Sequence, residues 1–391
     1  MSRRKTTAFA MAALMLVPVL TLTGCTSEPA PTVTAPHSPA SPLATPTASA
    51  GPVQPVGTPT VLAQGLAAPW SVVRLKSGSA LISERDSGTI VELQSGGAVR
   101  DVGTVSGVLH RGEGGLLGIE VRGPDRVDGD SQNATGESWL YAYLTTASDN
   151  RIVRMPLNGG AGAYSLGTQE DVLTGLKRAT NHDGGRIKFG PDGMLYATVG
   201  DATTTANAQN PASLNGKILR LTPTGAVPKD NPTPGSLVYS MGHRNPQGLA
   251  WDSDGQLWAA EFGQNTWDEL NRIEPGGNYG WPTVEGIGQK DGFIDPVHQW
   301  KTSEASPSGL AYLNDTFFMA ALGGRRLWVI YPGSQFDAVE YFANEYGRIR
   351  DVIPGPDGTI WMLTNNTDGR GSPQPGDDKL LQVRLTPLRE G

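Results

Sequence analysis

The sequence predicts an all-β protein, a six-bladed β-propeller built from four-stranded antiparallel blades. The first observation behind this prediction is periodicity: beyond residue 58 the chain shows short alternating runs broken by glycine, and almost no helical pattern. The second is repetition, because a short strand, a turn and a more apolar strand recur six times. About 330 residues shared among six copies leaves about 55 residues for each, enough for a four-stranded blade with long loops. A β-sandwich would have fewer strands, and a solenoid would keep a stricter period.

The six copies also predict where functional residues gather. They begin at Pro69, Gly115, Gly185, Gln247, Ser308 and Arg348. Two of their turns read "PDG" and a third reads "SDG", which supply the positive φ angles that a hairpin needs. In a propeller the first strands of the blades line a central channel. We therefore expect the loops before these strands, which are distant in sequence, to meet at one mouth of that channel.

The segment before the repeats predicts export and anchoring. Residues 1–24 combine a basic start, "MSRRK", with an apolar run, "FAMAALMLVPVLTL", as in a secretory signal peptide. "LTGC", which ends at Cys25, resembles the bacterial lipobox, so we expect a lipid anchor on Cys25 at the outer face of the cell membrane. An ordinary secretory signal and an uncleaved membrane anchor are the alternatives. Residues 25–58, rich in Pro, Ala, Ser and Thr, are expected to form a disordered stalk, and residues 59–391 the propeller.

Charge and cysteine content exclude several classes of protein. The chain has 391 residues and a formal net charge of −7; removal of the signal peptide takes away three of its 31 basic residues and none of its 38 acidic ones, which lowers the charge to −10. So acidic a protein is a poor candidate for binding nucleic acid. Cys25 is the only cysteine, so the folded domain has no disulfide. No later segment is long and apolar enough to span a bilayer.

Polar and charged residues concentrate just before the repeated strands. They are His110, Arg111 and Glu113 before the second copy, Asn181, His182 and Asp183 before the third, His243, Arg244, Asn245 and Gln247 at the fourth, and Arg348 and Arg350 at the sixth. Convergent guanidinium and amide groups suit a planar, multiply charged anion. A neutral histidine held by an acid is the usual general base, and Asp201 closes the hairpin that His182 opens. The pattern predicts removal of a proton from a substrate hydroxyl beside an anionic cofactor.

Several of these residues also have a purely structural interpretation. The two arginines at the sixth copy could form a solvated strand face paired with Glu345 and Asp351. His243 could make only structural hydrogen bonds, and Glu113 could cap a turn. The concentration of such residues at one position of the repeat favours the functional interpretation.

The segment from Glu261 to Pro282, "EFGQNTWDELNRIEPGGNYGWP", adds a candidate cation site. It combines Asp268 and Glu269 with a glycine-rich loop, and calcium takes carboxylates and backbone carbonyls as ligands. An adjacent acidic pair is more often a solvated turn, and "GGNYGWP" could be an aromatic turn packed on the core. Both interpretations stay open on these residues alone.

Five segments together resemble a known family. They are "GEGGLLGI", "NHDGGRIKFGPDGMLYATVGD", "GHRNPQGLAW", "WDELNRIEPGGNYGWP" and "GRIRDVI". They are similar to the signatures of soluble sugar dehydrogenases that depend on pyrroloquinoline quinone (PQQ), the glucose/sorbosone dehydrogenase family, which includes the aldose sugar dehydrogenases. The resemblance runs in order from about residue 60 to the end of the chain. It implies a six-bladed propeller that binds PQQ over a calcium ion and oxidises the anomeric hydroxyl of an aldose to a lactone.

The resemblance also implies roles for individual residues. His182 would be the base, Asp201 would orient it, and Arg244 would stabilise charge on the quinone oxygen. The cofactor contacts would be Glu113, Asn245, Gln247, Arg325, Arg348 and Arg350. The calcium ion beside the cofactor would be bound by the carbonyls of Gly263 and Gln264. Structural calcium ions would be bound by Asp268, Glu269 and the carbonyl of Tyr279. No "CxxCH" haem motif occurs, so electrons must leave to a separate acceptor.

The sequence departs from the family pattern at three places. Glu113 stands where the family has a glutamine, and Gly323 or Gly324 stands where a blade-five lysine contacts the cofactor, with Arg325 the nearest cation. The loop "TVEGIGQKDG" is poorer in well-placed acids than the calcium loops of the best-known members. Two other functions are possible for such a propeller. One is a metal-dependent lactonase, which would have no use for an arginine cluster. The other is a lipid-anchored binding propeller that has lost PQQ and catalysis, which the departures at Glu113 and at the blade-five lysine would favour.

Overall fold

The computed structural model describes residues 51–127, 136–333 and 335–388. Within these ranges the protein is nearly all β, with six antiparallel sheets, one four-residue α-helix and one short 3-10 turn. The sheets are arranged as a six-bladed β-propeller, so the predicted fold class is confirmed. No helix among the described residues has the length and apolar character needed to cross a membrane. The predicted signal peptide, Cys25 and most of the predicted stalk lie outside the described residues.

The strands are numbered in chain order. They are β1 Val53–Gln64, β2 Pro69–Arg74, β3 Ala80–Glu84, β4 Thr89–Leu93, β5 Val99–Thr104, β6 Leu116–Arg122, β7 Trp139–Thr145, β8 Asn150–Asn158, β9 Ser165–Leu166, β10 Glu170–Leu176, β11 Ile187–Phe189, β12 Leu195–Val199, β13 Lys217–Leu221, β14 Val238–Met241, β15 Asn245–Trp251, β16 Leu257–Phe262, β17 Trp267–Arg272, β18 His298–Lys301, β19 Pro307–Leu313, β20 Thr316–Ala321, β21 Arg326–Tyr331, β22 Asp337–Tyr341, β23 Ile349–Pro354, β24 Ile360–Thr364 and β25 Lys379–Pro387. The helix α1 spans Ala206–Gln209, and the 3-10 turn spans Pro356–Gly358.

Each predicted copy supplies the first two strands of one blade. The sheet orders are β2-β3-β4-β5, β6-β7-β8-β10, β11-β12-β13-β14, β15-β16-β17-β18, β19-β20-β21-β22 and β23-β24-β25-β1, with β9 paired to β8. Most consecutive inner strands pack on one another, β15 packs on β12 of the third blade, and β2 of the first blade packs on β23 of the sixth, which closes the ring. The loops before the inner strands therefore meet at one mouth of the channel, as the repeat pattern predicts.

The ring is also closed by hydrogen bonds, since the first strand of the domain completes the last blade. β1 runs antiparallel to β25, with Val53 opposite Pro387 and Gln64 opposite Lys379. The boundary predicted at residues 58/59 is therefore too late, because it cuts through β1. A sequence rich in proline and threonine resembles a stalk locally, and only its pairing with β25, more than 300 residues away, makes it a strand.

The hydrophobic core lies between the blades, where each sheet packs against the next. In the first such layer, Leu81 and Ile90 of the first blade meet Leu140 and Val153 of the second, all buried. Equivalent clusters lie between each of the other neighbouring blades. Burying one aliphatic side chain of this kind stabilises the fold by about 1.5–3 kcal/mol. Six such layers give a rigid frame that carries the loops of the mouth.

Candidate active site

His182 and Asp201 form the pair that the hairpin predicts. His182 Nδ1 lies 2.8 Å from Asp201 Oδ1, and the Asp201 side chain is fully buried while that of His182 is 13% exposed. The strands between them, β11 and β12, pair antiparallel, so the loop before β11 and the residue after β12 meet at the same edge. A hydrogen bond from Nδ1–H to the carboxylate leaves the Nε2 lone pair as the proton acceptor. Nε2 has no hydrogen-bond partner among the described residues.

The loop that carries His182 is held very close to the strand behind it. His182 itself has a φ of 65°, an uncommon conformation for a residue with a side chain. A Cβ on Gly200 would lie 2.0 Å from His182 O, and one on Gly184 would lie 2.5 Å from Thr198 O. Only glycine fits at either position. The glycines beside His182 and before Asp201 are therefore what allows the two side chains to meet.

Asp201 is fixed by two further donors. Trp281 Nε1–H donates to Asp201 Oδ2 at 2.9 Å, and the amide of Thr203 donates to Oδ1 at 2.7 Å. In the sequence Trp281 is part of "GGNYGWP", a pattern that does not predict its contact with Asp201. With both carboxylate oxygens engaged, the acid cannot rotate away from His182.

Glu113 takes an unexpected place beside the histidine. Its Oε2 accepts the backbone N–H of His182 at 2.9 Å, and its Oε1 lies 3.9 Å from Arg370 Nη1. The carboxylate thus holds the loop that carries His182 and lies beside Arg370, an arginine that the sequence patterns did not point to. Glu113 thus has one neutral N–H donor and one positive neighbour, the guanidinium of Arg370.

Residues at the start of β15 and just before it support the loop that carries His182. Asn245 Oδ1 accepts the amide of Gly184 at 3.0 Å, and the amide of Asp201 donates to Arg244 O at 2.8 Å. Arg244 donates from Nε to Gln264 Oε1 at 2.9 Å, and burial lowers the pKa of its guanidinium. The predicted residues Arg244 and Asn245 are thus directly linked to the His182–Asp201 pair.

His243 fits the structural interpretation. It is fully buried, Nδ1 lies 2.8 Å from Glu261 Oε2, and Nε2 lies 2.8 Å from Ser240 Oγ. Its ring stacks on Tyr279, with 4.8 Å between centroids. Both ring nitrogens are engaged, so this histidine has no free atom for a substrate.

An arginine cluster lies next to the histidine. Asp368 Oδ2 is 3.2 Å from Arg348 Nη2, 3.8 Å from Arg350 Nη2 and 3.8 Å from Arg85 Nη1. Arg350 also donates to Gln247 Oε1 at 2.9 Å. The pair is not a solvated strand face, because both side chains are largely buried and their acidic partner is Asp368. Burial lowers the pKa of Arg350 well below its usual value, with the charge of Arg348 adding to the effect.

The carboxylate of Asp368 does not provide enough acceptors for the N–H groups of the three arginines around it. Three buried nitrogens, Arg85 Nη1, Arg348 Nε and Arg350 Nε, have no hydrogen-bond partner among the described residues. Buried N–H groups without a partner are rare in folded proteins, and here they cluster on positive side chains. Arg348 and Arg350 line a cavity of about 180 Å³ together with Glu113, Asp183 and Gln247. This donor set fits a small polyanion that carries carboxylates, which is the chemistry of PQQ.

Asp183 is the acid that this cavity shares with the histidine loop. Its Oδ1 accepts Asn150 Nδ2 at 2.8 Å, whereas its Oδ2 is buried without a partner among the described residues. Burial raises the pKa of Asp183 to about 6. The carboxyl is therefore a group that gains or loses its proton near neutral pH.

The remaining predicted cofactor contact, Arg325, lies apart. It is exposed and lines a neighbouring cavity of about 580 Å³, which meets the first cavity at Arg348 and Arg370. Arg370, which lines both cavities, is the cation nearer to the arginine cluster.

The predicted calcium ligands do not form one group. Asp268 and Glu269 are adjacent in β17, so their side chains point to opposite faces of the blade. Asp268 accepts the amides of Gly263 at 2.9 Å and Ser306 at 2.6 Å, and Glu269 accepts the amide of Gly286 at 2.7 Å. Burial raises the pKa of Asp268 to about 6 and that of Glu269 to about 8.

Both carboxylates already accept backbone N–H groups, and calcium binding at either of them stays a prediction. No set of three or more His, Cys, Asp or Glu side chains in the described ranges is placed to hold a metal ion. Tyr279 is buried, and its hydroxyl donates to Arg272 O at 2.6 Å. The carbonyl oxygens of Gly263, Gln264 and Tyr279 accept no hydrogen bond from any described residue, so all three predicted carbonyl ligands offer the kind of oxygen that suits calcium.

Comparison with known proteins identifies the family. The model of the glucose/sorbosone dehydrogenase family matches residues 66–380. The chain belongs to this family. Among its relatives, the aldose sugar dehydrogenase YliI of Escherichia coli K12 is 31% identical over 355 residues, covering 79% of this chain and 90% of its own length. Quinoprotein glucose dehydrogenase B of Acinetobacter calcoaceticus is 31% identical over 258 residues, covering 60% of this chain and 54% of its own length.

A solved structure of the family superposes on almost the whole propeller. It is the PQQ-bound form of the aldose sugar dehydrogenase from Streptomyces coelicolor, with a TM-score of 0.79, 46% sequence identity and coverage of 86% of this chain and 99% of that chain. Within the family frame, the residues that sequence reasoning missed are Arg85, Trp281, Asp368 and Arg370. Trp281, Asp368 and Arg370 reach the site from loops that carry no repeat signal, whereas Arg85 directly follows β3 within the first copy, where "ERD" places it between two acids.

Proposed function

We propose that this glucose/sorbosone dehydrogenase family member is a PQQ-dependent aldose dehydrogenase with His182 as its general base. The observation that carries the proposal is the position of the His182–Asp201 pair beside a cavity lined by guanidinium groups with unpartnered N–H atoms. The PQQ-bound relative, 46% identical, supports the cofactor. When bound, PQQ supplies the acceptor that takes the hydride from the anomeric carbon.

The protein's own residues provide binding and proton transfer. Arg348 and Arg350 would hold carboxylates of the cofactor, with Arg85 and Arg370 adding positive charge. His182 Nε2 would accept the proton of the sugar hydroxyl, so that loss of the proton and of the hydride leaves a lactone. Arg244 would favour negative charge at the oxygen beside it.

Calcium is part of this proposal through the carbonyls of Gly263 and Gln264. Chelation should weaken PQQ binding, which a titration followed through the quinone spectrum measures directly. Asp268 and Glu269 would need to release their amide partners before they could bind a second ion. The proposal therefore places only one ion, next to the cofactor.

We further propose that the protein acts outside the cell. The lipobox-like "LTGC" supports attachment through Cys25 to the outer face of the membrane, and the chain would pass its electrons to a separate acceptor. Growth with labelled lipid precursor, compared between the natural chain and Cys25→Ala, tests the anchor. Unchanged labelling would contradict it.

A titration of the full chain with PQQ, with and without calcium, tests the enzyme. Binding followed by reduction on addition of glucose or another aldose, lost in His182→Ala with binding retained, would support the proposal; His298→Gln on the outer strand β18 is the matched control. Binding without reduction by any aldose would overturn the substrate class. No binding at micromolar PQQ would favour the non-catalytic binding propeller.

A further inference from the structure

A single carboxylate closes the turn between β16 and β17. Four successive backbone N–H groups, those of Gln264, Asn265, Thr266 and Trp267, donate to Glu285 Oε1 at 2.7, 3.0, 2.9 and 3.2 Å. Successive amides that point to one place form a nest, a backbone arrangement that binds anions. Here the anion is a side chain of the same protein, supplied by the loop that follows "GGNYGWP".

Four N–H groups that converge on one oxygen favour the ionised form of Glu285. Hydrogen bonds to an ionised acceptor are about twice as strong as those between neutral groups. The conformation of the turn therefore depends on the negative charge of Glu285, and not only on the shape of its side chain.

The turn that Glu285 holds in this conformation positions the side chain of Arg244. Gln264 Oε1 accepts Arg244 Nε–H at 2.9 Å, and Phe262 O accepts Arg244 Nη1–H at 3.4 Å. Gln264 is exposed, so its side chain has no packing to fix it apart from the turn on which it sits. The orientation of the guanidinium thus depends on the backbone of residue 264, which donates the shortest of the four bonds to Glu285.

A second contact reaches Arg244 from the loop that carries Glu285. The Arg244 guanidinium carbon lies 5.6 Å from the centroid of the Trp281 ring, within the range of a cation–π contact. Trp281 also donates to Asp201. Glu285, four residues after Trp281, therefore ties together the two segments between which Arg244 lies.

We propose that Glu285 is a positioning residue for Arg244, acting through the turn from Gly263 to Thr266 and the side chain of Gln264. The geometric claim concerns the protein without cofactor. Its consequence for catalysis rests on the proposed function, in which Arg244 stabilises charge on the quinone oxygen. Each claim has a test of its own.

The geometric claim is tested by NMR on the full chain without PQQ. The Arg244 Nε–H resonance is assigned by its loss in Arg244→Lys, and its exchange with water is then measured. We expect slow exchange in the natural chain and at least about tenfold faster exchange in both Glu285→Gln and Gln264→Ala, since a lost hydrogen bond of this strength corresponds to about a factor of ten. Glu274→Gln, which removes an exposed carboxylate without a partner in the turn, should leave exchange unchanged. Unchanged exchange in Glu285→Gln would overturn the proposal.

The catalytic consequence is tested by a double-mutant cycle on kcat with saturating PQQ and aldose. Glu285→Gln and Gln264→Ala should each lower kcat roughly tenfold with KM little changed, and the double variant should lose no more than either single one. Losses that multiply would mean that Glu285 does not act through Gln264, which contradicts the proposal. Glu285→Asp keeps the charge and should recover part of kcat if the nest still closes.

The two tests separate this inference from the proposed function. If the natural chain binds no PQQ or oxidises no aldose, the proposed function fails, while the exchange measurement still decides whether Glu285 positions Arg244. Thermal unfolding of each variant shows whether the propeller has kept its fold. A Glu285→Gln chain that does not fold leaves Glu285→Asp and Gln264→Ala for the same exchange measurement, where unchanged exchange in Gln264→Ala would overturn the proposal.

Discussion

Replacement of Asp201 by asparagine tests the base most directly. Asp201 accepts three hydrogen bonds, from His182, from the amide of Thr203 and from Trp281 Nε1–H. An asparagine amide must place its NH2 group at one of the two oxygen positions, where it faces an N–H donor. Because Asp201 is fully buried, no water replaces the missing acceptor. His182 then loses either its orientation or the tautomer that leaves Nε2 free.

The size of the effect follows from the bond that is lost. A buried hydrogen bond to a charged group contributes about 1.5–3 kcal/mol, and about 1.4 kcal/mol of lost transition-state stabilisation is a factor of ten in rate. We therefore expect kcat for aldose oxidation in Asp201→Asn to fall roughly 100-fold, within the range of general-base catalysis. PQQ affinity should change less than about threefold, because Asp201 does not line the cavity of the arginine cluster.

Stopped-flow reduction of bound PQQ by aldose measures this step apart from electron transfer to the acceptor. The control is Asp254→Asn, which changes an exposed acid in the turn between β15 and β16. A kcat in Asp201→Asn within about threefold of the natural chain would refute the assignment of His182 as a base oriented by Asp201.

Three further predictions follow from buried groups. Arg350→Gln should weaken PQQ binding roughly 30-fold in a spectral titration, since it removes a buried guanidinium from the cavity; an unchanged affinity would place the cofactor elsewhere. Asp183 has its pKa raised by burial to about 6, so its contribution to stability is complete below about pH 4 and is lost as the pH rises through about 6. We therefore expect that, between pH 4 and 7, the free energy of unfolding of Asp183→Asn rises by up to about 3 kcal/mol relative to that of the natural chain. Urea unfolding measures this difference, and parallel pH profiles of the two proteins would contradict the prediction. A chain that begins at residue 59 should unfold roughly 5 °C lower than one that begins at residue 51, because it lacks Val53 and the first half of β1, and equal melting temperatures would contradict that closure.

The sequence predicted the fold and the contact between His182 and Asp201 because both depend on local patterns. Alternating apolar residues and "PDG" turns define each pair of inner strands, and six such pairs leave little choice but a closed ring. The His182–Asp201 contact follows from the same periodicity, since the two residues bracket one hairpin. The arginines at the sixth copy could be assigned to the channel for the same reason.

Sequence reasoning failed where a residue's partner belongs to another blade or to an unpatterned loop. The stalk boundary was wrong because β1 resembles a flexible segment until it pairs with β25. Asp268 and Glu269 prove to be buried carboxylates that accept backbone amides, and calcium binding by either of them stays a prediction. The segments that carry Asp368 and Glu285 do not predict which donors these acids contact, and each acid proves to organise a set of donors that are distant in sequence.

The sequence by itself thus determined the repeat, the order of the blades and the residue types that meet at the mouth, because strand periodicity is written into neighbouring residues. Only the tertiary structure decided which acid neutralises which arginine, which carboxylate closes the turn at Gln264, and which N–H groups are left for a ligand. Those outcomes depend on how buried donors and acceptors from several loops are shared out. Because an unpaired polar atom costs more than most single contacts contribute, that distribution is set by the whole ring and not by any one segment.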